Sequence, residues 1–230
     1  MQAHKYETHT HTSEGSKCSH ISAADLVELY WEHGYSGVCI TDHLDYFLKG
    51  WAWVPADAPW AERVEQFCKG YENALVAGKR LGIDVFFGWE YTERGAHFVT
   101  FGLDKQWLLD HPNLLELSFH EYCTLVHSDG GFIIHAHPFR LEEWISEICL
   151  FPKDVDAVEV INACRTDFQN RLADQYADNF GLPKVAGSDN HFGPLERLAG
   201  IEVARRLAGV NDMINAIKSG QVECFVESRS

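Results

Sequence analysis

Positive charge is scarce in this chain of 230 residues: 19 lysines and arginines stand against 34 acids, a formal charge of -15. So acidic a protein repels a phosphate backbone at long range, which argues against a tightly held nucleic-acid duplex as partner. Long apolar runs are also missing, and none approaches the ~18 residues that a membrane-spanning helix needs. The first residues, MQAHKYE, contain no basic stretch followed by an apolar one, so no secretory leader is expected and the expected location is cytoplasmic. Seven cysteines (18, 39, 68, 123, 149, 164 and 224) are odd in number and never fall in a C-x-x-C spacing. That excludes a thiolate zinc knuckle and argues for reduced, mostly buried thiols over a disulfide framework. Internal repeats and low-complexity linkers are absent as well.

What remains is a globular composition, 46% hydrophobic and 13% aromatic, in a length suited to one domain over residues 1–230. Strand and helix patterns alternate along it. KYETH opens as a strand; Ser22, with Asp25 three residues on, caps an amphipathic helix ending at Gly34; GVCITDH follows as a buried strand. Val64, Phe67, Cys68, Tyr71, Leu75 and Leu81 predict one long helix closed by Gly82, before the strands IDVFFGWE and AHFVTFG. FHEYCTLVHSDG reads as a helix, GFIIHAHP and DAVEVINA as strands, and Phe168, Leu172, Tyr176 and Phe180 as a helix face leading into PKVAGSDNH. IEVA, a helix over NDMINAIKSG, and VECFVE complete the chain. Strands alternating with helices predict an α/β protein with a parallel sheet, and seven or eight such units favour a barrel over an open sheet.

The unusual side chains then fall into a rule. His9 and His11, Asp42 and His43, Glu90, His135 and His137, and Asp189 and His191 all stand at the C-terminal ends of predicted strands, which share one face of such a barrel. His9 and His11 are two residues apart, so on an extended chain both imidazoles leave one face roughly 7 Å apart. His97 is the exception, opening its strand. Neutral imidazole and carboxylate are the donors that zinc, manganese and iron accept, and there are more here than one tetrahedral ion can use, so two or three ions are expected. Asp42 points opposite His43 on a regular strand and is read as a support. Arg140 and Arg165 follow strand ends and could bind phosphate through their planar forks of donors; Lys17, Lys49 and Arg94 are weaker candidates. The tryptophans 51, 53 and 60, in the aromatic loop YFLKGWAWVPADAPW, could stack on a base or simply pack as core.

In that order, HTHTSEGSKCSHISAADLVELYWEHGYSGVCITDH, GWEYTERGAHFVTFG, IIHAHPFR and AGSDNH resemble the four-part signature of the polymerase and histidinol phosphatase (PHP) superfamily. The resemblance covers nearly the whole chain and implies a distorted (β/α)7 TIM-like barrel, a trinuclear metal centre and phosphoester hydrolysis. Carried over by motif, it implies that His9, His11, Glu90 and Asp189 hold one ion. Glu90 would bridge to a second ion held by His97 and His137, and His43 and His191 would hold the third. The family draws a further ligand from the loop after H-x-H; this sequence offers Glu14 or His20, and Glu14, nearer the strand end, is preferred. The expected reaction is hydrolysis of a small organic phosphomonoester by a hydroxide activated at the metal centre, with Arg140 and Arg165 on the phosphoryl oxygens and His135 as one candidate proton donor. Two alternatives are a deaminase or amidase of the amidohydrolase type, which also begins with H-x-H, and a non-catalytic metal-binding module.

Overall fold

The structure is a computed structural model that describes residues 3–44, 54–55 and 57–228. Its strands are β1 (His4–Glu7), β2 (Tyr35–Ile40), β3 (Asp84–Glu93), β4 (Ala96–Phe101), β5 (Phe132–Ala136), β6 (Ala157–Asn162), β7 (Lys184–Gly187), β8 (Arg197–Val203) and β9 (Glu223–Ser228). Between them run the helices α1 (Ala23–Glu32), α2 (Trp60–Phe67), α3 (Lys69–Leu81), α4 (Lys105–Asp110), α5 (Phe119–Ser128), α6 (Asp167–Phe180) and α7 (Val210–Lys218). Local chemistry accounts for most boundaries. Ser22 caps α1 by accepting from the Asp25 N–H, and reciprocal capping boxes start α5 (Ser118 with Glu121) and α6 (Thr166 with Gln169). Gly82 and Gly181 end α3 and α6 in the left-handed conformation.

The long helix expected from Val64 to Gly82 is two helices. Cys68, at ψ -5°, closes α2 and opens α3, and the apolar spacing runs through the break because the cysteine stays buried on the same side. Beside it, Gly70 lies so close to Thr12 that a Cβ would meet Thr12 Oγ1 at 2.1 Å, which pins the start of α3 against the loop after β1. Two short elements, α4 and a 3-10 turn at Leu114–Glu116, were not expected, being too brief for a periodic signal.

The nine strands form one sheet in the order β7-β6-β5-β4-β3-β2-β1-β8-β9, curled into a nearly closed barrel. Its first arc is parallel, β1 to β2 to β3, and so is its last, β5 to β6 to β7. The expectation of a wholly parallel sheet fails at β4, which runs antiparallel to both neighbours. No helix separates β3 from β4: Arg94 and Gly95, at φ 49° and 80°, form a two-residue hairpin turn, and such a turn reverses the chain. β8 and β9 add antiparallel to the edge of β1. The rim closes where the chain beyond β1 meets the chain beyond β7: Thr10 bridges Asn190 in parallel, the His11 N–H donates to the Asn190 carbonyl at 3.0 Å, and the Asp189 N–H to the His9 carbonyl at 2.8 Å.

An apolar cluster drawing on each of β1 to β8, including Tyr6, Phe86, Phe101, Phe132, Val185 and Ile201, fills the barrel, and α7 contributes Met213 and Ile217 to it. The alternate residues of β3 to β5, such as Trp89, Phe98 and Ile133, face outward and pack with α2, α4 and α5. No helix among the described residues is long and apolar enough to cross a membrane.

Candidate metal centre

Strand parity decides which polar residues reach the barrel mouth. Glu90 follows Phe86 and Gly88 on the inward face of β3, with Trp89 and Tyr91 outside. His97 shares the inward face of Val99 and Phe101, and because β4 is antiparallel its beginning, not its end, lies at the rim, opposite Thr92. That resolves the one exception to the strand-end rule. His9 and His11 lie beyond β1 and straddle the rim bridge at Thr10, with ring centroids 5.2 Å apart. His137 and Asp189 lie past the ends of β5 and β7 with φ of 26° and 54°, conformations that few side chains adopt without being held there.

These residues form one buried cluster around two carboxylates. Glu90 Oε1 is 3.2 Å from His9 Nε2, 3.3 Å from His137 Nε2 and 2.9 Å from His97 Nδ1; Oε2 is 3.6 Å from His11 Nε2 and 2.7 Å from His43 Nδ1. Asp189 Oδ1 is 3.6 Å from His9 Nε2 and 3.4 Å from His11 Nε2, and Oδ2 is 3.6 Å from His137 Nε2. His191 donates through Nδ1 to the Asp189 carbonyl at 3.0 Å and brings Nε2 to 3.4 Å from His43 Nε2.

Electrostatics keep the acids ionised in a place where burial alone would protonate them. Burial pushes Glu90 up, but His97, His43 and His9 hold it well below the usual carboxylate range; at Asp189, His9, His11 and His137 do the same. Burial and the neighbouring His191 and His43 hold His11 neutral, well below an ordinary imidazole. His9 moves the other way: burial opposes its charge, but Glu159, Asp189 and Glu90 together outweigh it.

Around this set lies a supporting layer. Glu159, inward on β6, accepts from His9 Nδ1 at 2.9 Å, from the His137 N–H at 2.8 Å and from Asn162. Glu7 accepts from the His9 and Ser188 N–H groups, and Asp42 accepts from the Thr12 N–H and the Thr12 and Ser16 hydroxyls, all at 2.7 Å. Only Asp42 was expected in this role. Glu159 had a signal that could have found it, an acid inside the apolar run DAVEVINA.

Three expectations need correction. His135 is fully buried on the outward face of β5, stacked on Phe98 with centroids 4.8 Å apart and edged by Tyr176; burial pushes it down to about 3. Equal parity suggested that it shares a face with His137, but the positive φ at His137 swings that residue to the mouth and leaves His135 behind the sheet, so it is no proton donor to a substrate at the mouth. Glu14 turns away from the cluster to accept from the Ala23 N–H at the start of α1 and from Asn73. His20 stacks on Phe192. The loop residue that does face the third corner is Cys18, beside both His43 and His191; burial raises the thiol, yet the two imidazoles bring it down to about 6.

Both arginines reach the rim. Arg140 donates to His97 Nε2 at 3.0 Å; Arg165 donates to Asp189 Oδ2 at 3.3 Å and to Glu142 at 2.9 Å. Arg94 pairs with Glu147 on the surface, and Trp60 packs with its indole N–H on the Leu108 carbonyl. Lys49, Trp51 and Trp53 lie outside the described residues.

Comparison with known proteins fits this geometry. Residues 167–222, from α6 to the approach to β9, match the family described as PHP-associated. A two-domain protein from Bacteroides vulgatus, containing a region predicted to be a PHP-like metal-dependent phosphoesterase, superposes on 97% of this chain with a TM-score of 0.73 at 16% identity. The chain shares that protein's fold. It spans 65% of that two-domain protein. A Bifidobacterium adolescentis protein assigned to the metal-dependent phosphoesterases matches at TM-score 0.59 and 15% identity, over 95% of this chain and 96% of its own. A lesion-specific endonuclease from Pyrococcus furiosus superposes at TM-score 0.59 and 13% identity, over 97% of this chain and 58% of its own. No curated sequence matches the chain.

The cluster at the mouth of this barrel fits metal ions. His9, His11 and His137 each bury an Nε2 that has no hydrogen-bond partner. Donors held about 2.0–2.2 Å from a tetrahedral ion stand about 3.3–3.6 Å from each other. That is the range in which these nitrogens face the Glu90 and Asp189 oxygens, from 3.2 to 3.6 Å. Four overlapping groups could each hold an ion: His9, His11 and Glu90; His9, His137 and Asp189; His43, Glu90 and His97; and His11, His43 and His191.

Proposed function

We propose that this chain is a metal-dependent phosphomonoesterase acting on a small organic phosphate, with two or three zinc, manganese or iron ions held by His9, His11, His43, Glu90, His97, His137, Asp189 and His191. The observation that carries the reading is the pair of buried, ionised carboxylates facing imidazole nitrogens at tetrahedral-edge separations, with Arg140 and Arg165 on the same rim. Bound ions would supply a strong nucleophile from water at neutral pH and offset the negative charge of a phosphoryl group.

The side chains supply the rest. The His9 Nδ1–H is held by Glu159, which fixes the tautomer and aims the Nε2 lone pair into the cluster. His191 is aimed likewise by its Nδ1 bond to the Asp189 carbonyl. Arg140 has no acceptor, so His97 Nε2 must accept from it and the ring proton sits on Nδ1, toward Glu90. The Arg140 guanidinium thus stands beside one of the candidate ligands, where its remaining donors could meet phosphoryl oxygens. Arg165, held charged by Asp189 and Glu142 against the effect of burial, would supply a second fork of donors on the same rim.

The test is a panel assayed with metal-loaded protein of known metal content: p-nitrophenyl phosphate, sugar phosphates and nucleoside monophosphates, beside phosphodiesters, single-stranded DNA and amide substrates. Chelator-sensitive turnover of monoesters is expected. Cleavage confined to DNA, turnover confined to amides, or none at all despite full metal content would each reject it, in favour of an endonuclease, an amidohydrolase or a non-catalytic module respectively.

A further inference from the structure

We propose that Cys18 is a ligand of the third cation position, where its thiolate joins His43 and His191. The inference rests on the metal-centre reading above and extends it to a residue to which the resemblance assigns no role. His43 and His191 bring their Nε2 atoms to 3.4 Å from each other, the edge length of a tetrahedral site, and the Cys18 thiol lies within interaction reach of both rings. His11, fully buried, shares this corner and has an Nε2 without a hydrogen-bond partner.

The loop is built to hold the sulfur there. On one side of Cys18, the Ser16 hydroxyl donates to Asp42 at 2.7 Å and the Ser16 oxygen accepts from the His43 N–H at 3.0 Å. On the other, the Ser19 hydroxyl donates to the carbonyls of His11 and His191, and the His20 N–H to the His191 carbonyl at 2.7 Å. The backbone around residue 18 is therefore tied to His11, His43 and His191 themselves. The loop's other donors are engaged elsewhere, Glu14 at the start of α1 and His20 on Phe192.

The corner formed by His11, His43 and His191 contains only imidazoles, so a thiolate from Cys18 would bring it an anionic donor. A soft ligand there favours zinc over manganese, whereas the Glu90 and Asp189 side of the centre, built of nitrogen and oxygen donors, accepts either. The third position would thereby differ in metal preference from the other two.

Cobalt reports the bond directly, because cobalt(II) bound to thiolate absorbs in the near ultraviolet and cobalt bound to nitrogen and oxygen alone does not. Titrating metal-stripped protein with cobalt should raise this band in the wild type and in Cys164→Ser, a control for the other thiol near Asp189. The band should be lost in Cys18→Ser, which should also retain one ion fewer in zinc after dialysis. Cys18→Asp should regain the ion without the band and shift its preference toward manganese. In the wild type, zinc loading should protect one thiol from a thiol reagent, a measurement that needs no variant to fold. A full complement of metal with no thiolate band, or a band unchanged in Cys18→Ser, would overturn the assignment of Cys18 and leave the metal centre standing. Failure to bind any metal would overturn both.

Discussion

Glu159 touches no position at which an ion is proposed, yet it sets the tautomer of one candidate ligand and the backbone of another. Replacing it by Gln keeps the shape but lets an amide donor meet His9 Nδ1. Metal affinity should fall about 10–100-fold, read by competition with a chromogenic chelator, while the metal-free protein melts nearly unchanged. An unaltered affinity would mean that the His9 orientation is held by packing alone. His135 makes the opposite case. Both of its ring nitrogens are buried without partners among aromatic rings, so His135→Phe should raise stability by about 1–2 kcal/mol in urea melts and leave turnover within a few-fold. A large loss of turnover would restore it to the chemistry. Glu7 carries a pH signature. Burial pushes its carboxyl up to about 7 against the Ser188 and His9 donors, so the folded chain keeps a proton that the unfolded chain releases near 4.5. Stability should therefore fall as pH rises from 4.5 to 7, by on the order of 3 kcal/mol from this group. Glu7→Gln, measured in chelator beside the wild type, should flatten that slope, and identical slopes would show that Glu7 is ionised throughout.

Elements deliver these residues to the rim, and here the sequence was legible unevenly. Caps, glycine stops and apolar periodicity locate all the strands and most of the helices, because each is a local signal. The reversal of β4 was legible only in hindsight, from Arg94-Gly95 standing where a crossover helix would be needed, and it is what puts His97 beside Glu90. His9, His43, Glu90 and Asp189 could be found because strand ends share a face. Cys18 and Glu14 could not be sorted, since the loop after β1 is shaped by Asp42 and Gly70 from distant segments. The junction of β7 with the chain beyond β1 is similarly tight: a Cβ at Gly187 would lie 2.6 Å from His9 Cβ and 2.9 Å from Glu159 Oε1. Gly187→Ala should cost roughly 1–3 kcal/mol and weaken metal binding in the same variant, because the side chain that must give way is His9. Lost stability with unchanged metal affinity would place the adjustment elsewhere.

Across the whole molecule, a cluster in which His9, His11 and His137 bury an Nε2 beside two buried acids is a destabilising feature in the absence of cations and a stabilising one in their presence. Removing metal with a chelator should lower the melting temperature, and returning zinc should restore it; free metal at a hundred times its dissociation constant contributes about 2.7 kcal/mol per site. A melting temperature indifferent to both would count against bound metal in the folded state. The formal charge of -15 matters at this scale too, since the two or three divalent ions proposed would offset only part of it. The seam at Thr10 and Asn190 joins segments 180 residues apart, and the donors on either side of it, His9 and His11 facing Asp189 and His191, belong to the two margins being sewn together. No cation can find its full set of donors until those margins meet. Metal capture would then be the final fastening of the cylinder, and a stripped barrel should unbutton first along this line, with the Asp189 and His11 amides the earliest to exchange their hydrogens.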